Sequence, residues 1–432
     1  MKIAQIAPPW FSIPPKHYGG TETVIYNLVE ELVRQGHDVT LLAPGDAKTS
    51  ARLVSFFPQS LIPSGVPWSA QMKAFYHLQK SVEYVKKHSF DIVHAHLSSA
   101  SDMYLFPLFA DLKVQKPVIT TLHSRFPFNR SGKWMGDADE YFKEWFQSVP
   151  MVAISEHAKQ DVPYALNFVG VVHHGLPVDT FHPTKAQPED YFAWLGRFVP
   201  EKGPHLAIQA AKQAGVPLVM AGIVDKDLPE AVRYFEEQIK PHIDDEQIKY
   251  IGPAGMKQKI SLFSRARGML NPIQWEEPFG MVMIEAMATG CPVISFDRGA
   301  ASEVVADGTS GFLVSSLEEM VQKIPQVNEL NREAVRDYVV KNFSVQAMAR
   351  EYVELYKKLV RPTADIQEHV GQFKMFAAPK AEKLLSVSAM SRSTTSMSNT
   401  DVDVSNISNV RTDDPVQSLT RQTPLRATGE VV

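Results

Sequence analysis

Two glutamates, Glu277 and Glu285, flank the run Pro278-Phe279-Gly280-Met281-Val282-Met283-Ile284. Met281, Ile284 and Met287 have the spacing of a helix face packed on a sheet. Gly290 suits the C-terminus of that helix, and Pro292-Val293-Ile294 the start of a buried strand. Glu277 is therefore expected in a loop at a helix N-terminus, with Glu285 one turn inside. Carboxylates held there are not both explained as surface solubility. A second constellation is Gly196-Arg197-Phe198-Val199-Pro200-Glu201-Lys202-Gly203. Arg197 can hold phosphate oxygens with a bidentate fork, and Lys202 adds a compact charge. The alternative is two solvated cations paired with Glu201.

Other groups are less specific. Tyr18-Gly19-Gly20-Thr21-Glu22 opens a helix after a strand. Adjacent glycines let a backbone come close to a ligand, and free N-H groups at a helix start favour an anion such as a phosphate. The plainer reading is a tight loop with Thr21 as N-cap. No Gly-x-Gly-x-x-Gly dinucleotide fingerprint occurs. His123 ends the strand run Pro117–Leu122, where polar residues of a parallel sheet tend to face a cleft. His94 and His96 are read as lying on opposite faces of their strand, so that they do not share a metal. Asp244-Asp245 reads as solvated, and Ser155 as an N-cap. No metal site is expected.

The elements that position these residues alternate. Strands are expected at 2-7, 38-43, 91-95, 117-121 and 151-154, and again at 191-195, 217-221, 248-251, 268-271 and 292-295. Amphipathic helical segments fall between them, among them Glu22–Arg34, Gln71–Lys87, His205–Ala214 and Lys257–Ala266. Strand-helix alternation implies parallel sheets with helices on both faces. Two sets of five suggest two doubly wound halves, broken by the proline-rich linker 177-188. Ligands bind beyond the carboxyl ends of such strands, and two facing domains form a cleft.

The chain has 432 residues, enough for two domains and a sizeable core. Its net charge of -4 gives no nucleic-acid footprint. A single cysteine, Cys291, excludes an intrachain disulfide and fits a reducing cytoplasm. The first apolar run is short for a signal peptide and reads as a strand. No stretch of about 20 apolar residues suggests a membrane span. From about Ala364 the sequence turns rich in Ser, Thr, Asn and Gln, and 364-432 reads as a mostly disordered tail.

In order along the chain, several stretches resemble the retaining glycosyltransferases of family 4. They are Gly19-Gly20, Asp91-Ile92-Val93-His94-Ala95-His96, Thr121-Leu122-His123, Ala153-Ile154-Ser155 and His174-Gly175-Leu176-Pro177-Val178-Asp179. Gly196-Arg197 with Glu201-Lys202-Gly203 and the Glu277-to-Glu285 element complete the set. The resemblance spans residue 2 to about 360. It implies an α/β GT-B fold of two facing doubly wound domains. These are an acceptor-side domain at 1-180, a donor-side domain at 189-343, and a helix at 344-361 crossing back to the first. It implies a nucleotide-sugar donor, UDP- or GDP-linked, and an acceptor that is a sugar, a lipid-linked sugar or a small molecule. No cofactor or metal is implied, and retention of configuration is.

Arg197 and Lys202 would grip the diphosphate, approached from the other domain by Gly19 and Gly20. Glu277, with Phe279, Gly280 and Met281, would hold sugar hydroxyls. Glu285 would bind the ribose, Ile251 and Gly252 would flank the base, and His123 would lie near the transferred sugar. His174-Gly175-Leu176 departs from the family's usual Asn-Gly-Val. Residues 124-136 mix cations with aromatics and could line the acceptor site or touch the inner face of a membrane. A sugar-nucleotide epimerase and an inactive binding protein of the same fold are the alternatives.

Overall fold

The computed structural model describes residues 1–15, 19–113, 115–124, 145–160, 166–184, 188–226 and 228–360. The tail reading for 364-432, residues 125-136 of the aromatic loop, and Tyr18 fall outside these residues. Seven strands build the first sheet: β1 Lys2–Ile6, β2 Asp38–Leu42, β3 Arg52–Val54, β4 Ile92–Leu97, β5 Val118–Leu122, β6 Met151–Ala153 and β7 Phe168–Val171. Six build the second: β8 Phe192–Arg197, β9 Leu218–Ile223, β10 Ile248–Tyr250, β11 Gly268–Asn271, β12 Val293–Phe296 and β13 Gly311–Val314. The orders are β3-β2-β1-β4-β5-β6-β7 and β10-β9-β8-β11-β12-β13. Every pairing is parallel, with Ile3 opposite both Val39 and Ile92 at the centre of the first sheet. This is the GT-B architecture of two parallel-sheet α/β domains.

Two sets of five strands understate the sheets. The three strands the sequence hid, β3, β7 and β13, all lie at sheet edges. An edge strand needs no long apolar run. No residue of β3 or β7 is fully buried. β13 is four residues long and starts with Gly311, which packs against the Val293 carbonyl. The central strands are legible because both their faces are covered, as in β4, where all six residues are buried.

The helix Val345–Val360 packs against the first sheet. Met348, Ala349, Tyr352, Leu355 and Tyr356 share a core with Ile3, Ile25, Leu28 and Leu32. The chain enters it beside its own outgoing crossing. Leu176 N-H donates to the Phe343 carbonyl over 2.9 Å, and Val345 N-H to the Leu176 carbonyl over 3.1 Å. Gly175 permits this approach, since a Cβ there would lie 2.5 Å from the Ser344 carbonyl oxygen.

Candidate active site

On the second domain, the loop from β8 to the helix Pro204–Ala214 carries Arg197 and Lys202. Gly203, at φ 65°, brings that loop against the Pro272 carbonyl after β11. Lys202 Nζ forms an ion pair with Glu277 Oε2, the two side chains being 22% and 14% exposed. Trp275 Nε1-H donates to the same oxygen over 3.1 Å, and Lys202 lies 5.0 Å from the Trp275 ring centre. Lys202 therefore pairs with Glu277 and not with Glu201. Arg197 is exposed, and no hydrogen bond or ion pair engages its guanidinium among the described residues.

Glu277 is clamped through its backbone. Gly299, at φ 61°, lies so close that a Cβ would fall 2.3 Å from both the Glu277 nitrogen and oxygen. Ala300 N-H donates to the Glu277 carbonyl over 2.8 Å. Gly280, at φ 89°, then caps the helix Met281–Ala288. On that helix both oxygens of Glu285 accept from Lys259 Nζ at 3.0 Å. Ile251 is exposed after β10, and Gly252, at φ 78°, accepts from Gly222 N-H over 3.0 Å.

The first domain supplies a different set. Gly19 is buried and caps the helix Gly20–Arg34, its carbonyl accepting from Thr23 Oγ1 over 2.7 Å. Thr21 is thus inside the helix and not its N-cap. Gly20 is exposed, and a Cβ there would meet nothing within 4 Å. Glu22 and Asp102 are both buried near the carboxyl ends of β1 and β4, where the strand order reverses. Burial pushes the Glu22 carboxyl up to about 7, with a further push from Asp102.

His123 follows β5 and is buried. Its Nε2 lies 2.9 Å from His96 Nδ1. The placement of His94 and His96 on opposite faces is wrong. Residues two apart in a strand share a face, and their ring centres are 4.2 Å apart. His96 Nε2 lies 2.8 Å from Gln5 Oε1, and Gln5 Nε2 3.1 Å from Tyr356 Oη. Tyr356 Oη lies 2.7 Å from His94 Nδ1, and His94 Nε2 lies 2.7 Å from Thr121 Oγ1. Burial, then neighbouring imidazoles, holds His94, His96 and His123 well below the usual histidine range, so all three are neutral near pH 7.

The two sets meet. His174 stacks on His123 with ring centres 5.1 Å apart, and lies 5.0 Å from the ring of Phe279. Burial pushes His174 down to about 3. Ser155 caps its helix by accepting from Ala158 N-H over 2.9 Å, and its hydroxyl donates to the Pro278 carbonyl over 2.7 Å. Glu303 reaches from the second domain to accept from Glu156 N-H and His157 N-H, each at 2.7 Å. Met281 packs against the cores of both domains. Sequence reading missed Lys259, Trp275, Gln5, Tyr356 and Gly299. None stands in a recognisable local motif, and only the fold brings each to its partner.

Known proteins share this organisation. Residues 18–195 match the family described as Glycosyltransferase Family 4, and residues 179–341 match Glycosyl transferases group 1. Spore coat protein SA of Bacillus subtilis is 24% identical over 403 residues, covering 83% of this chain and all of that protein. The phosphatidyl-myo-inositol mannosyltransferase of Mycolicibacterium smegmatis is 24% identical over 331 residues, 73% of this chain and 81% of its own length. The crystal structure of Anabaena HepE in complex with UDP and glucose superposes with a TM-score of 0.61. It is 18% identical and covers 83% of this chain and 99% of that one. Among the described residues no helix is long and apolar enough to cross a membrane.

Proposed function

Since the chain is a glycosyltransferase family 4-like protein, matched in both of its GT-B domains, we propose that it moves a hexosyl group from a nucleotide-diphosphate sugar to an acceptor hydroxyl. Configuration is retained and no metal is needed. The observation that carries the donor site is the cluster of Lys202, Glu277 and Trp275, with Arg197 on the same loop as Lys202. In the sugar-phosphate bond that breaks, the departing diphosphate keeps the electron pair. Arg197 and Lys202 supply positive charge where that negative charge grows. Binding of the diphosphate lets Lys202 share its charge between Glu277 and phosphate. Glu277 then accepts from sugar hydroxyls, and Glu285 from ribose hydroxyls.

His123 lies next to the transferred sugar, a reading supported by the ring contacts from His123 through His174 to Phe279. The acceptor oxygen attacks the anomeric carbon on the face the diphosphate leaves, and its proton passes to the departing phosphate oxygen. The UDP and glucose in the HepE structure make UDP-hexoses the first donors to test.

A thermal-shift screen of nucleotide sugars tests the donor, because a specific ligand raises stability by RT ln(1 + [L]/Kd). Glu277→Ala should weaken binding of the nucleotide sugar while leaving the free nucleotide unaffected. Equal loss for both refutes the sugar role of Glu277. A product of inverted configuration by NMR refutes retention, and interconversion of the donor alone would identify an epimerase.

A further inference from the structure

The buried polar chain of the first domain takes its direction from the orientation of the Gln5 amide. Gln5 Oε1 is a carbonyl oxygen and only accepts, so His96 Nε2 carries the proton of that 2.8 Å bond. A neutral imidazole has one N-H, which leaves His96 Nδ1 as an acceptor. His123 Nε2-H therefore donates to it over 2.9 Å. His123 is then bare at Nδ1, and this buried atom has no hydrogen-bond partner among the described residues. In the other direction Gln5 Nε2-H donates to Tyr356 Oη, and the Tyr356 hydroxyl donates to His94 Nδ1. His94 Nε2-H in turn donates to Thr121 Oγ1. Turning the Gln5 amide over would reverse the bonds from His123 to Tyr356 and put the proton of His123 on Nδ1.

We propose that Tyr356, through Gln5 and His96, is a positioning residue that fixes the His123 proton on Nε2 and leaves Nδ1 to accept a hydrogen bond from a hydroxyl of the transferred sugar. The inference rests on the reading that His123 meets that sugar. The tautomer of a histidine is set by the bond its other nitrogen makes, and here that bond is anchored elsewhere in the chain. Tyr356 is fully buried on a helix packed against the first sheet. Its phenol cannot swing away without unpacking that helix. The Gln5 amide turns its oxygen to His96 Nε2 and its nitrogen to Tyr356 Oη, and that orientation sets the direction of the whole chain.

Nitrogen-15 NMR of the full chain with labelled histidine reads the assignment directly. His123 Nδ1 should resonate as an unprotonated nitrogen and Nε2 as a protonated one. Tyr356→Phe frees the Gln5 amide. The two His123 resonances should then move toward each other, and kcat should fall about 10-fold, at the low end of what losing the outer partner of a metal-ligating histidine costs. The KM for the donor should stay within about twofold. Tyr352→Phe removes an equally buried phenol from the same helix without touching Gln5, and should keep the wild-type resonances. A wild-type His123 protonated at Nδ1 overturns the proposal. So does a folded Tyr356→Phe protein with wild-type resonances and kcat. Full transfer by His123→Ala would instead overturn the sugar contact itself. The two failures are separable, since the second leaves the wild-type tautomer as assigned.

Discussion

The carboxyl ends of the two sheets are built from the same backbone geometry and opposite chemistry. In the second domain the strand ends and the helices beside them carry full charges held in pairs, Lys202 with Glu277 and Lys259 with Glu285, and Arg197, which has no partner among the described residues. In the first domain the strands carry neutral imidazoles and an amide, which the phenols of the helix Val345–Val360 complete into a buried hydrogen-bonded chain. Paired ions can be re-paired by an incoming anion at little cost, because the cation keeps a partner throughout. A buried neutral chain instead holds its members in one orientation, since each unmade bond would cost about 1–3 kcal/mol. One domain is thus suited to meeting charge and the other to fixing geometry.

The sharpest way to break this contrast is Lys202→Ala. On the proposed function it removes a cation that faces the leaving group, and it takes the Lys202 partner from Glu277, so kcat/KM for the donor should fall about 10²- to 10³-fold. A loss below about threefold would deny the ionic role. Gly299→Ala tests whether the charged pair depends on backbone placement. Its Cβ would collide with the backbone of Glu277, and displacement of a site group by about 1 Å can cost roughly 10²-fold. Wild-type transfer in that variant would show that the clamp is dispensable.

The neutral side predicts a pH dependence. His77, His94, His96, His123 and His174 are all held below the usual histidine value by burial, His77 at about 4. Below about pH 6.5 the unfolded chain binds protons that the folded one refuses, so stability falls as pH falls. Each such histidine contributes up to about 1.4 kcal/mol per pH unit between its unfolded and folded values. Glu22, raised to about 7 by burial, opposes the five histidines over the same window, and urea midpoints that rise from pH 7 to pH 5 would show that these histidines are not held neutral. The smallest effect is expected for Arg197→Ala. Its exposed side chain has no partner to lose within the described residues, so stability should change by less than about 0.5 kcal/mol while the donor KM rises. A large drop in melting temperature would assign Arg197 to the fold.

The legibility of the sequence follows the same division. The charged motifs of the second domain lie in single short stretches, and the pairing strands around them are apolar runs. Glu277, Glu285, Arg197 and Lys202 could be named from local pattern alone. The first domain was harder because its partners are far apart in sequence. Nothing near Gln5 announces Tyr356, 351 residues away. The edge strands β3, β7 and β13 were hidden because each is only three or four residues long, and β7 and β13 each include a glycine. Lys259 looked like any exposed helical lysine until the fold placed it against Glu285.

The helix Val345–Val360 also orders events in time. During synthesis the ribosome delivers β1, β4 and β5 early, yet the phenols that complete Gln5, His94 and Thr121 arrive only with Tyr352 and Tyr356. The whole second domain must emerge first. Until then Gln5 and His94 each keep one partner in the sheet, His96 and Thr121, and lack the other, and the apolar face that the helix covers stays open to water. A nascent chain released before Tyr352 would keep the ion pairs of its second domain, which are encoded between Lys202 and Glu285, and lack the closure of its first domain.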